Sequence, residues 1–279
     1  MTDRSLNRAF ARLDHGLVHF RERVASADCK DLPPLLLLHA SPACGRTLAP
    51  IMQADTSGRH MLAPDTPGNG DSDPLACSAP EMADYADALA AFCAAQGISR
   101  VDIFGSHTGA HIAVELAARR PELVRSITVD GLLTLSAEER AEYLTRYAPP
   151  KQPDDIGSQF HWVWQYVRDQ MIFFPHFHKD REHLRAGGIF DPQFLHEMAL
   201  DVLRTLPTYH LAYEAVFRHE LSASLKEVRC PLRWLDTGEG YLDAAIQVVT
   251  EHVAAASVVR AEHTPADFAA AIHEFCAEL

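Results

Sequence analysis

Positive charge is scarce in this chain: among its 279 residues, 25 Lys and Arg stand against 38 Asp and Glu, for a formal charge of -13. Such a surface repels phosphate backbones and anionic lipid, which argues against nucleic-acid and membrane partners. Long apolar runs are missing too. The longest, Ala88–Ala95, is far short of a bilayer span. The opening residues lack a basic stretch followed by an apolar one, so no secretory leader is expected. Cysteine is sparse: Cys29, Cys44, Cys77, Cys93, Cys230 and Cys276 are scattered, with no C-x-x-C pair. That pattern excludes a disulfide framework or a zinc finger and suggests reduced thiols in a cytoplasmic protein. There is no internal repeat and no low-complexity tract.

What is present is an ordinary globular composition, 47% apolar and 23% charged, enough for one core. Phe10–Leu13 and Leu17–Val24 read as strands around the turn Asp14-His15-Gly16. Leu35–Leu38 is a continuous apolar run, as in a parallel strand covered on both faces. Met61–Ala63 is a shorter one. Ser78-Ala79-Pro80-Glu81 reads as a capping box ahead of a helix. That helix carries Met82, Tyr85, Leu89, Phe92 and Cys93 on one face. Val101–Phe104 predicts a strand, Ile112–Arg120 a helix and Val124–Val129 a strand. From about 135 to 223 the alternation gives way to helical, aromatic-rich sequence. It returns with strands at Leu232–Leu235 and Ala256–Val259 and a last helix capped by Thr264. Strand–helix alternation implies a mostly parallel sheet with helices on both faces. The helical insertion then lies over the strand ends, where such sheets bind ligands.

Three segments carry chemistry. Leu35-Leu36-Leu37-Leu38-His39-Ala40-Ser41-Pro42 is a strand running into a polar loop. Asp65-Thr66-Pro67-Gly68-Asn69-Gly70-Asp71-Ser72-Asp73 is a turn-rich loop. Asp102-Ile103-Phe104-Gly105-Ser106-His107-Thr108-Gly109-Ala110 is a strand, a tight turn and the start of a helix. In this order they resemble the HG loop, the D-x-P-G-x-G-x-S-D loop and the nucleophile elbow of the α/β-hydrolases. The resemblance covers the core at both ends of the chain and not the insertion. It implies an eight-stranded, mostly parallel sheet built from residues 1–134 and 224–279, with 135–223 as a helical cap.

The resemblance also assigns roles. The elbow tip falls on His107, where the fold normally carries Ser, Asp or Cys. The oxyanion donors fall on the backbone N–H groups of Ser41 and Thr108. The family histidine falls on His263, just before the last helix. The acid is least defined: Asp130 follows the sixth strand, while Asp236 and Glu239 both precede the usual place after the seventh, which reads Gly240 or Tyr241. His39, Trp164 and Arg168 are candidate substrate contacts, Arg168 for a substrate carboxylate.

A histidine at the elbow leaves four readings open. It is a nucleophile forming an acyl-imidazole, with a second histidine as base and Asp130 fixing that histidine's tautomer. It is a general base alongside His263, activating water or abstracting a substrate proton. It is a metal ligand with His263 and Asp130. Or catalysis is lost and the pocket only binds. The simplest expectation is an enzyme without cofactor or metal that hydrolyses an ester-like bond of a small organic substrate. The alternatives are a non-hydrolytic lyase-type enzyme and a silent binding protein. The expected partner is that small molecule, with self-association as a homodimer left open.

Overall fold

The structure is a computed structural model that describes residues 6–185 and 191–279. Its centre is one sheet of eight strands: β1 (Asn7–Leu13), β2 (Gly16–Arg23), β3 (Leu35–Leu38), β4 (Met61–Pro64), β5 (Val101–Ser106), β6 (Val124–Asp130), β7 (Leu232–Asp236) and β8 (Ala256–Arg260). Their order across the sheet is β1-β2-β4-β3-β5-β6-β7-β8. The β1–β2 hairpin and its join to β4 are antiparallel, and every other pairing is parallel.

The all-leucine run of β3 shows why a central strand has no polar face. Leu36 and Leu38 point into one apolar layer with α2 (Met82–Ala95) and α3 (Thr108–Arg119). Leu35 and Leu37 point into the other with α1 (Ala49–Ala54) and α10 (Pro265–Ala277). Side chains alternate along a strand, so a strand between two helical layers must be apolar at every position.

Most element boundaries match the sequence reading within one or two residues. Two corrections stand out. The helix expected behind a cap at Ser78 is capped by Glu81, whose side chain forms a box with Asp84. Helix α3 begins at Thr108 rather than Ile112, because one residue completes the turn from β5.

Among the described residues five helices lie between β6 and β7: α4 (Ala137–Arg146), α5 (Ser158–Ile172), α6 (Pro192–Arg204), α7 (Tyr209–Arg218) and α8 (Leu221–Glu227). Helix α8 packs on α3 and on α9 (Asp243–His252). The others form an aromatic layer in which Tyr143 and Tyr147 stack and both meet Phe217 edge-on. Arg46 joins core to α6 through Asp201 at 2.7 Å.

Candidate active site

Strand β5 ends at Ser106 and α3 starts at Thr108, so His107 alone makes the turn. Its backbone sits at φ 47°, ψ -107°. Among the described residues no other non-glycine residue has a positive φ. The turn is held by the His107 N–H, which donates to the Asp130 carbonyl at 2.7 Å, and by the His107 carbonyl, which accepts from Ala110 N at 2.9 Å. Close approach demands missing side chains on either side. A Cβ on Gly109 would lie 2.2 Å from the Leu38 carbonyl oxygen, and one on Gly131 would lie 2.3 Å from His107 Nδ1.

The His107 ring is half-buried and lines a cavity of about 420 Å³ under the inserted helices. Among the described residues neither of its ring nitrogens has a hydrogen-bond partner. His263 lines the same cavity. Its ring stacks on Phe268 with centroids 5.4 Å apart and planes 17° apart. Much of the remaining wall is apolar, including Met171, Phe174, Met198 and Phe217, as in sites that bind organic molecules.

Asp130 is buried, but its carboxylate accepts from Ser106 Oγ at 3.1 Å. Among the described residues no carboxylate hydrogen-bonds to His107 or His263. The two histidines therefore meet in one cavity, while the acid expected to orient one of them is joined to a serine.

The acid after β7 has a different partner. Glu239 pairs with Arg185 and accepts from the Tyr241 hydroxyl at 2.5 Å. Burial pushes its carboxyl up, but Arg185, Tyr241 and His107 outweigh that and hold it below the usual range.

Thr108, as the first residue of α3, has an N–H without an intrahelical acceptor. The Ser41 N–H donates to Thr108 Oγ1 at 3.3 Å, which brings the two residues together. Both residues line the cavity. The Ser41 carbonyl accepts from the Tyr213 hydroxyl of α7 at 2.6 Å, and Tyr213 accepts in turn from Gln170 Nε2 at 3.1 Å.

Three expected substrate contacts lie elsewhere. His39 is fully buried, and both ring nitrogens are spent: Nδ1 donates to the Ala40 carbonyl and Nε2 accepts from Thr66 N, each at 2.9 Å. Burial holds it neutral, pushing its pKa down. It braces the two loops rather than lining the cavity. Trp164 is 40% exposed on the outer face of α5. Arg168 points to solvent and pairs with Asp169 at 3.3 Å. Sequence gave no facing for either on an amphipathic helix whose two sides both carry aromatics.

Among the described residues His107, His263 and Asp130, left open as a metal site by the sequence, do not gather as one. Among the described residues, the ligand atoms that gather within 4.8 Å of one another are those of His19, Asp65 and Asp71. There Asp65 already accepts from His19 Nδ1 at 2.9 Å, Gly45 N at 2.7 Å and Asp71 N at 3.0 Å.

One functional neighbour was missed. His111 lies one helical turn beyond His107, a spacing visible in the sequence, and lines the cavity. Its Nε2 accepts from Leu133 N at 3.1 Å, which places its proton on Nδ1, donating to His219 Nδ1 at 2.9 Å. His219 Nε2 then donates to Glu115 at 3.2 Å. Burial first, then His219 and His107, hold His111 well below its ordinary pKa. The chain thereby pins the loop after β6 that carries Gly131 against His107.

A family model of the α/β hydrolase fold matches residues 33–170. Over 102 residues the chain is 30% identical to a haloalkane dehalogenase of Bradyrhizobium diazoefficiens, a match covering 35% of this chain and 31% of that protein. The chain thus aligns with less than a third of this curated relative's length. A hydrolase from Pseudomonas aeruginosa superposes with TM-score 0.74 at 17% identity, covering 96% of this chain and 98% of that one. An epoxide hydrolase from Vigna radiata superposes with TM-score 0.73 at 16% identity, covering 100% of both chains. Among the described residues no helix is long and apolar enough to cross a membrane.

Proposed function

We propose, from the premise that this chain is an α/β-hydrolase-fold protein, that it hydrolyses an ester-like bond of a small organic substrate with His107 as general base. The observation that carries this reading is the His107 imidazole itself. It stands at the elbow tip in a strained backbone, with both ring nitrogens unpartnered among the described residues, in a cavity shared with His263 and two backbone donors.

Water gives a proton to His107 while its oxygen bonds to the substrate carbonyl carbon. The carbonyl oxygen becomes an oxyanion beside the N–H groups of Ser41 and Thr108. The adduct then breaks its bond to the alkoxide as the imidazolium returns the proton, releasing acid and alcohol. Direct attack by the imidazole is the weaker reading. Alkoxide is a much stronger base than imidazole, so the adduct would expel imidazole and return to substrate. The uncommitted tautomer of His107 suits a base better than a nucleophile held in line. The inserted helices, 135–223, act as the lid that shapes the apolar pocket. Six free cysteines fit a reducing compartment, and the proposed location is the cytoplasm.

The test is turnover of short- and medium-chain activated esters by the wild type and His107→Ala. Loss of general-base catalysis predicts a drop of roughly 100- to 10,000-fold in kcat, and its operation in the wild type predicts a solvent-deuterium isotope effect on kcat for unactivated alkyl esters. Equal rates in both proteins, or no turnover by folded wild type, would overturn the reading.

A further inference from the structure

Among the described residues that line the cavity, one carries a permanent charge, the guanidinium of Arg185. A charge in an apolar cavity is costly unless it is supported. Here the support comes from behind: Glu239, which pairs with Arg185, is not part of the cavity wall. The donors are only partly spent. Nη1 donates to the Gln170 carbonyl at 3.2 Å, and Nη2 donates to Glu239 and reaches the Tyr241 hydroxyl at 3.4 Å. Among the described residues Nε–H and the second Nη1–H have no acceptor, and the side chain is 24% exposed.

The group is also fixed in place. The Arg185 backbone N–H donates to the Ile172 carbonyl at the end of α5 at 2.8 Å. Beside it, Phe174 and Tyr241 stack with centroids 3.9 Å apart, giving a flat apolar wall. Arg185 and His107 line the same cavity.

We propose that Arg185 anchors organic monocarboxylates with an apolar body, so that the substrate or product of this site carries a carboxylate. A free guanidinium N–H gives a carboxylate a charge-assisted hydrogen bond, and the low dielectric of the cavity strengthens the contact. The inference deepens the hydrolase reading by naming its substrate class, and it rests on the cavity being the substrate site.

The test is binding, so that it does not depend on turnover. Hexanoate and phenylacetate, each beside its neutral amide, are titrated calorimetrically into the wild type, Arg185→Met, Glu239→Gln and His107→Ala. The carboxylates are expected to bind the wild type at least tenfold tighter than the amides. They are expected to lose roughly 10- to 100-fold in Arg185→Met, while the amides stay unchanged. Glu239→Gln, which frees the guanidinium from its counter-ion, is expected to tighten carboxylate binding. That opposite sign separates anchoring from general damage to the fold. Retained binding by His107→Ala with no turnover in any protein would sink the hydrolase reading and leave the anchor standing. Equal binding of acid and amide by the wild type, or wild-type affinity in Arg185→Met, would show that Arg185 only ties lid to core and would overturn the proposal.

Discussion

At His107 the chain holds a β-carbon at φ 47°, ψ -107°, a region that favours glycine. The cost is roughly 1–3 kcal/mol, sustained only because the surroundings impose it. Those surroundings are the Asp130 carbonyl and the two close backbone approaches at Gly109 and Gly131. A site selected only for stability would carry glycine here. His107→Gly is therefore expected to raise Tm by several degrees, on the scale of roughly 2–4 °C per kcal/mol, while abolishing ester turnover. A thermal melt and a rate assay on the same preparation check this. A lowered Tm would show that the imidazole contributes packing that outweighs the strain.

Among the elements, β5 is the one on which the site depends, and its far end is fastened by charge. Asp102 is fully buried. It accepts from Arg125 Nε at 2.8 Å and Ser126 Oγ at 2.6 Å on β6, and it pairs with Arg59 just ahead of β4. Burial pushes its carboxyl up, but Arg125, Ser126 and Arg59 together hold it below the usual range. Asp102→Asn leaves two arginines short of their counter-charge and is expected to cost about 3–5 kcal/mol, read from urea melts. A loss under 1 kcal/mol would mean the network adds specificity and not stability.

The contrast with the rest of β5 shows what a sequence discloses. The strand, its flanking glycines and the histidine at the tip were legible, because tight turns and two-sided burial restrict residue types at fixed positions. The helical insertion was legible only as helices. Which residue of it reaches the cavity depends on how α5 and the segment after it fold back. Arg168 was the natural candidate and Arg185 is the residue that arrives. Nothing local marks Arg185, since its partners Gln170, Glu239 and Tyr241 are scattered along the chain. The Ser106 partner of the Asp130 carboxylate was hidden for a related reason. Its register beside Ser106 follows from strand pairing, which a single sequence does not display.

For the whole molecule the sum of buried histidines matters. Burial pushes His39, His111, His176 and His210 below their ordinary pKa. In the unfolded chain these groups take up protons near pH 6.5; in the folded chain they do so only at lower pH. The unfolded state thus binds more protons below that value, and stability rises with pH. Stability is complete above about pH 6.5 and is lost as pH falls through it, by at most about 1.4 kcal/mol per pH unit for each proton. Melts between pH 8 and 5.5 are expected to show Tm level at first and then falling. A Tm that held or rose on acidification would contradict this.

The hydroxyl of Tyr213 acts at the same scale. It stands on α7, takes a hydrogen bond from Gln170 on α5 and gives one to the carbonyl of Ser41, whose own N–H is one of the two donors assigned to the oxyanion. The roof of the chamber and its electrophilic corner are thus geared together. Under the proposed mechanism a shift of α7 would be felt at Ser41 through these two hydrogen bonds, so the helices that roof the chamber also set the corner where the oxyanion would form.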